Sequence, residues 1–348
     1  MGSAKSVKIG GLAFGGGAPV RVESMLKTPL EDADGCLTEL GVLAEAGCEL
    51  VRAAFPREEL RGNLRELIEK SAMPVMADIH FNYRYALAAL DCGCGSIRIN
   101  PGNMGGCGGL MEVLAAAKSL SAVIRIGSNG GSLSAKQLEQ AGGDRALALV
   151  AAVEEQLIPL VDAGFEDVII SAKSSSVPET ARANSLLAQR YPFPLHVGIT
   201  EAGPGMDGAV KSAVGLGVLL GQGIGDTMRV SLTGESRAEV DTAYAIQRAL
   251  GLRRRGIELI SCPCCGRRRI DVPELVGKVK SLLPRDLPDG TTVAVMGCEV
   301  NGPKEAAAAD LGIAGTANGF VLFKKGKTVA TGDKDDLERI LTSFLEGL

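Results

Sequence analysis

Between residues 19 and 250, short apolar runs alternate with longer segments whose apolar positions recur every three to four residues. The runs cover 19–25, 49–55, 74–80, 96–101, 122–129, 166–174, 194–203 and 226–232, each of strand length. Segments 31–47, 56–70, 104–120, 133–164 and 235–250 carry the helical spacing between them. Eight strand-then-helix repeats predict an α/β chain whose residues 1–255 form a (β/α)8 TIM barrel, with an open doubly wound sheet as the competing arrangement. From residue 256 the pattern changes. A proline-opened helix is expected over 273–283, a strand over 292–296, a helix over 303–310, a hairpin over 319–331 around Lys325-Gly326-Lys327, and an amphipathic helix over 334–348. Residues 256–348 are therefore expected to form a smaller α+β domain.

The eight runs end in polar residues. These are Glu23-Ser24, Arg52, Asp78 and His80, Arg98 and Asn100, Arg125 and Asn129, Lys173, Thr200-Glu201, and Arg229 and Ser231. In a barrel the C-terminal strand ends form the mouth, and period-two geometry turns residues two or four apart to the same side. One arginine at a strand end reads equally well as half of a surface ion pair. Five cations converging on one mouth, Arg52, Arg98, Arg125, Lys173 and Arg229, imply an anionic small molecule, and guanidinium forks favour a diphosphate. His80 shares a face with Asp78 and reads as a carboxylate-oriented imidazole that donates to substrate. His196 is assigned to packing or a supporting hydrogen bond. Gly221 to Asp226 imitates a nucleotide loop but precedes a strand, so a turn is expected.

Charge and composition narrow the setting. The 348 residues are 46% hydrophobic and 22% charged, enough for a sizeable core, and the net charge of -4 argues against a broad nucleic-acid surface. No stretch approaches eighteen consecutive apolar residues, so no membrane span is expected. Nine cysteines, an odd and unevenly spaced set with no leader-like segment before them, suit a reducing cytoplasm rather than a disulfide framework. Two of them, Cys262 and Cys265, have Cys-x-x-Cys spacing, and Cys298 follows 33 residues later. Three such thiolates suit a [4Fe-4S] cluster with one iron lacking a cysteine. Structural zinc would want four closed Cys or His ligands in a domain that has no histidine, and free buried cysteines are a third reading. Glu305 is the acidic candidate to complete the shell. The Arg267-Arg268-Arg269 run is either a solvated face, a counterweight to an anionic cluster, or an attractor for an acidic electron donor.

Several of these segments resemble one family over nearly the whole chain: Ala77-Asp78-Ile79-His80-Phe81, Ile97 to Asn103, Gly198-Ile199-Thr200-Glu201-Ala202-Gly203, Gly223 to Leu232, the cysteine motif, and Met296-Gly297-Cys298 with Asn301-Gly302-Pro303. It is the family of bacterial 4-hydroxy-3-methylbut-2-en-1-yl diphosphate synthases, iron-sulfur enzymes of the methylerythritol phosphate route to isoprenoids. The resemblance implies a barrel that binds 2-C-methyl-D-erythritol 2,4-cyclodiphosphate and a [4Fe-4S] cluster on Cys262, Cys265, Cys298 and Glu305. It implies substrate contacts at Arg52, Arg98, Asn100, Arg125, Asn129, Lys173, Arg229 and Ser231. Glu201 is the candidate for moving protons, with Asp78 and His80 orienting substrate. The implied reaction is a two-electron reductive dehydroxylation with ring opening, fed by ferredoxin or flavodoxin.

Glu23 stands where a glutamine is common in that family, and Ser128, Cys264, Glu299 and Lys304 also depart from its pattern. The last barrel helix, about 24 Å long at 1.5 Å per residue, should return from mouth to base. The second domain then starts at the wrong end to reach its own mouth, which predicts a head-to-tail homodimer, as the resemblance also implies. Two other readings stay open: a non-redox barrel that binds anionic ligands beside a structural zinc module, and a pterin- or corrinoid-linked methyl transferase.

Overall fold

A computed structural model of the chain describes residues 2–80, 82–100, 102, 106–284, 287–298 and 308–346. Contacts divide it into two compact units, residues 1–252 and 253–348.

The first unit opens with an antiparallel hairpin, β1 (Ser6–Ile9) and β2 (Leu12–Gly15). Seven barrel strands follow in chain order: β3 (Arg21–Met25), β4 (Leu50–Ala54), β5 (Val75–Asp78), β6 (Ser96–Arg98), β7 (Val123–Asn129), β8 (Val168–Lys173) and β9 (His196–Val197). After β10 (Gly203–Pro204) comes the eighth, β11 (Thr227–Met228), and then β12 (Leu232–Thr233), which pairs with β10 beyond the ring. All eight barrel strands run parallel in the order β8-β7-β6-β5-β4-β3-β11-β9. A parallel bridge between Ile170 and Leu195 joins the two ends, so the ring closes.

Alternation along the strands sorts their side chains. Val51, Ala77, Ile97, Ile124 and Ile170 belong to the main core with helix residues such as Leu43, Leu64, Leu90, Leu149 and Leu187. Leu50, Met76, Val123 and Ile169 form a separate cluster with Val7, Ile9 and Phe14 of the hairpin. The hairpin thus seals the base of the barrel with apolar side chains. Two residues further along the same strands stand Arg52, Asp78, Arg125 and Ser171, so the interior changes from apolar to ionic within one i to i+2 step.

Local sequence explains where elements differ from expectation. Segment 133–164 splits into Ala135–Gln140 and Arg145–Asp162 because Gly142 and Gly143 take φ of 61° and 83°, and Asp144 then caps the second helix through the Ala146 and Leu147 amides. The seventh strand is shorter than its apolar run. A Cβ at Gly198 would lie 2.5 Å from the Arg229 carbonyl, so two backbones meet there, and Glu201 turns the chain at φ 51°.

The second unit is a five-stranded sheet in sequence order: β13 (Glu258–Ser261), β14 (Thr292–Met296), β15 (Leu311–Gly315), β16 (Phe320–Lys324) and β17 (Lys327–Gly332). The first three strands are parallel and the last two join antiparallel. Helices Val272–Leu282 and Leu337–Glu346 contribute Val272, Leu275, Val279 and Leu341 to one face, against Val293, Val295, Ile313 and Leu322. The expected helix over 303–310 lies largely outside the described residues. Strands β13 and β15 have no counterpart in the sequence reading, because neither has a polar and apolar alternation of its own. In β15 the glycine is structural: a Cβ at Gly312 would fall 1.8 Å from the buried Phe323 ring opposite. Gly312→Ala is expected to cost about 1–3 kcal/mol by overpacking, and Gly312→Ala with Phe323→Leu to recover most of it in urea unfolding.

Candidate active site

Inside the barrel mouth lies a cavity of about 110 Å³, lined by Arg52, Asp78, His80, Arg98, Arg125, Asn129, Lys173 and Arg229 together with Ile126, Gly127, Ser171 and Thr200. Parallel strands deliver these side chains to one level, since Asp78, Arg98 and Arg125 are register partners on three neighbouring strands. Asp78 is 4% exposed and sits between two guanidinium groups and an imidazole: Arg52 Nε at 3.4 Å, Arg98 Nη1 at 3.4 Å and His80 Nε2 at 3.5 Å. Burial pushes its carboxyl upward, but the His80 hydrogen bond and the two arginines outweigh that and hold it well below the usual carboxylate range. It therefore stays ionised and acts as a shared counter-ion for Arg52 and Arg98.

The floor of the site holds a second ionic group. Arg125 Nη1 bonds Glu23 Oε2 at 2.5 Å, with the two residues 2% and 1% exposed, and His196 Nδ1 lies 3.4 Å from the same oxygen. Burial, then the Arg125, Lys173, Arg52 and Arg229 charges, push His196 well below its usual value, so it is neutral. Arg229 Nη2 faces Glu239 Oε2 at 3.6 Å, and Glu239 also holds the Ser24 hydroxyl, the Leu232 amide and the Lys27 ammonium. Burial followed by Arg52, Arg125 and Arg229 lowers Lys173 well below 10.5, and burial brings Arg52 down to about 10.

Five lining cations thus face three carboxylates, which leaves the mouth positively charged in a chain whose net charge is -4. Nη2 of Arg125, Nε of Arg229 and Oγ of Ser171 are buried without a hydrogen-bond partner among the described residues. Buried donors of this kind cost free energy unless a ligand or water meets them. Such a pocket can bind an oxyanion with several phosphoryl oxygens.

At the other end of the chemistry, Cys262 directly follows β13 and Cys298 lies two residues after β14, so adjacent parallel strands bring both to one end of the sheet. The Gly297 amide donates to Cys262 Sγ at 3.2 Å, and a Cβ on Gly297 would lie 3.3 Å from that sulfur. Cys265 is exposed, and Cys264, in the left-handed region at φ 57°, has its Sγ 3.9 Å from the Cys262 carbonyl oxygen. A soft thiolate set with a backbone amide aimed at one sulfur fits an iron-sulfur group by donor chemistry. Among the described residues no three such ligands are already drawn to metal-binding distance, and Glu305 lies outside those residues.

The family model described as the GcpE TIM-barrel domain matches residues 4–244, and that described as the GcpE protein C-terminal domain matches 258–347. The chain belongs to the GcpE family. It is 48% identical to the 4-hydroxy-3-methylbut-2-en-1-yl diphosphate synthase (flavodoxin) of Maridesulfovibrio salexigens, over 97% of this chain and 94% of the relative. The enzyme of the same name from Natranaerobius thermophilus is 44% identical over 98% and 95%. The crystal structure of an N-acetylneuraminic acid synthetase from Leptospira borgpetersenii superposes with a TM-score of 0.51 at 14% identity, covering 72% of this chain and 91% of that one. That likeness concerns the fold.

In this GcpE-family chain, the cavity gathers Arg52, Asp78, His80, Arg98, Arg125, Asn129, Lys173 and Arg229 from six strand ends. Asn100 lines an adjoining chamber of about 320 Å³ that shares His80, Arg98 and Asn129. Glu201 and Ser231 are outside both linings, with Glu201 exposed beside Thr200 and Ser231 half-buried. Thr200, one of the polar strand ends expected at the mouth, lines the cavity, whereas sequence reasoning missed Ser171 as a lining residue and Glu23 and Glu239 as counter-ions. Glu23 and Arg125 are 102 residues apart, so no local spacing could pair them. Cys36, Cys48 and Cys94 are buried thiols of the barrel unit, pushed up by burial to about 11, 12 and 12, which makes them poor ligands.

Proposed function

We propose that the chain catalyses ring opening and two-electron reductive dehydroxylation of 2-C-methyl-D-erythritol 2,4-cyclodiphosphate to 4-hydroxy-3-methylbut-2-en-1-yl diphosphate in the cytoplasm, with flavodoxin as electron donor. The observation that carries this reading is the convergence of Arg52, Arg98, Arg125, Lys173 and Arg229 on one cavity in a chain of this family. Guanidinium forks hold the diphosphate oxygens, and their charge stabilises the phosphate that departs as the ring C–O bond breaks. Asp78 keeps Arg52 and Arg98 in place, while His80, 51% exposed at the rim, orients substrate. Asn100, Asn129 and Ser231 are assigned to the remaining polar contacts. Glu201 is assigned to deliver the proton with which the hydroxyl leaves as water.

A [4Fe-4S] cluster on Cys262, Cys265, Cys298 and Glu305 would supply the electrons one at a time. The expected head-to-tail homodimer is part of this proposal, and the course of the first unit's last helix supports it. That helix, Ser236–Ala249, ends at the base of the barrel, where Gln247 Nε2 donates to the Val20 carbonyl and the Tyr244 hydroxyl to that of Gly47. The second unit of one protomer is therefore assigned to the partner's mouth.

The test is turnover of the cyclic diphosphate by anaerobically reconstituted protein with a strong one-electron donor, with product identification. Iron-loaded protein that leaves the substrate intact would overturn the reaction, and a colourless zinc protein would favour the non-redox alternative.

Lys173 makes a further measurement available. Burial, helped by the neighbouring guanidinium groups, holds the amine well below 10.5, and a bound diphosphate should pull it back up. Binding then takes up a proton at any pH between the depressed value and 10.5, so affinity falls as pH rises through that window. Calorimetry of inorganic pyrophosphate in buffers of different ionisation enthalpy should show this uptake, and Lys173→Met should remove it.

A further inference from the structure

The end of the second unit that carries the cysteines also carries charge that the reaction does not use. Arg267, Arg268 and Arg269 follow the exposed Cys265, and all three are exposed. Their backbone is tied to both cysteine loops: the Arg268 amide donates to the Cys265 carbonyl at 3.0 Å, and the Arg269 amide to the Gly297 carbonyl at 2.7 Å. Among the described residues no carboxylate pairs with these guanidinium groups. Arg268 and Arg269 line a groove of about 440 Å³ with Ile270, Leu275 and Leu337, where Asp271 caps the following helix through the Glu274 amide and Glu274 is paired with Lys278 at 3.1 Å.

Charge is distributed unevenly between the units. Residues 1–252 carry 22 Lys and Arg against 28 Asp and Glu, a net of -6, whereas residues 253–348 carry 15 against 13, a net of +2. Five of the first unit's cations line the barrel cavity. An acidic macromolecule is therefore repelled by the surface of the first unit and attracted to the cysteine end of the second. Such complementarity raises encounter rates and fixes orientation more than it adds contact energy.

We infer that Arg267, Arg268 and Arg269 form the docking surface for a small acidic redox protein of the flavodoxin kind, which rests on the reaction proposed above. Each encounter passes one electron: the carrier is oxidised by one electron, the enzyme is reduced by one, and two encounters complete a turnover. Backbone bonds to Cys265 and Gly297 make the surface contiguous with the thiols, so charge placed here shortens the path from carrier to ligand loop.

The test uses the reconstituted full-length enzyme with Arg267→Glu, Arg268→Glu and Arg269→Glu combined, assayed with reduced flavodoxin and separately with dithionite. The expected result is at least a tenfold rise in KM for flavodoxin, a flattened ionic-strength dependence, unchanged iron content, and dithionite-driven turnover within twofold of wild type. The corresponding triple lysine variant should restore flavodoxin dependence. An equal loss with both donors, or an unchanged KM for flavodoxin, would overturn the docking assignment. Direct titration of flavodoxin onto the protein should show the same tenfold loss whether or not the enzyme turns over, so a failure of the proposed reaction is read separately, from wild type with dithionite.

Discussion

Cys298→Ser is expected to purify without iron or acid-labile sulfide after anaerobic reconstitution, and its turnover to fall below detection. Cys298 is buried, and its position two residues past β14 places it beside the loop that begins at Cys262. A serine hydroxyl is a hard, weakly acidic donor and cannot replace a thiolate on iron. No other thiol of the described chain can substitute. Cys264 is held in a left-handed conformation with its sulfur near the Cys262 carbonyl, and the cysteines at positions 36, 48, 92, 94 and 107 belong to the other unit. Cys264→Ser should accordingly keep its iron, which makes it the matched control. Pyrophosphate binding should be unchanged in both variants, because the barrel cavity is built without either residue.

Arg125→Met should be the most damaging change in the barrel. Glu23 would be left as a buried, uncompensated carboxylate next to a neutral His196, a situation that costs about 3–5 kcal/mol. Thermal unfolding of the variant measures this directly. Pairing it with Glu23→Gln removes the orphaned charge, so the double variant should regain most of the stability. Substrate affinity should not return with it, because Arg125 Nη2 is one of the unpartnered donors of the cavity. A double variant that remained as unstable as Arg125→Met would show that packing, rather than the ion pair, sets the cost.

The contrast between these two sites follows from how each was legible. Cys262, Cys265 and Cys298 carry their meaning in spacing and residue type, since few side chains other than thiols bind soft metals. The barrel cations carry theirs in strand periodicity, which turned Asp78, Arg98 and Arg125 inward without any knowledge of their neighbours. The counter-ions do not follow from either signal. Glu23 and Glu239 look like ordinary polar residues at a strand end and a helix start, and become partners of Arg125 and Arg229 only when the ring closes. The sealing of the base by the hairpin was likewise invisible, because its apolar residues find their partners on β4, β5, β7 and β8.

What the sequence determined by itself is the strand and helix rhythm, the inward direction of the cationic positions and the thiol set, because each depends on a local period or on a donor type. Tertiary structure alone decided the rest: which carboxylates neutralise which cations, which donors remain unpartnered in the cavity, and where a glycine must stand between crossing backbones. Those are matters of distance between residues far apart in the chain, and distance is settled only when eight strands share one axis.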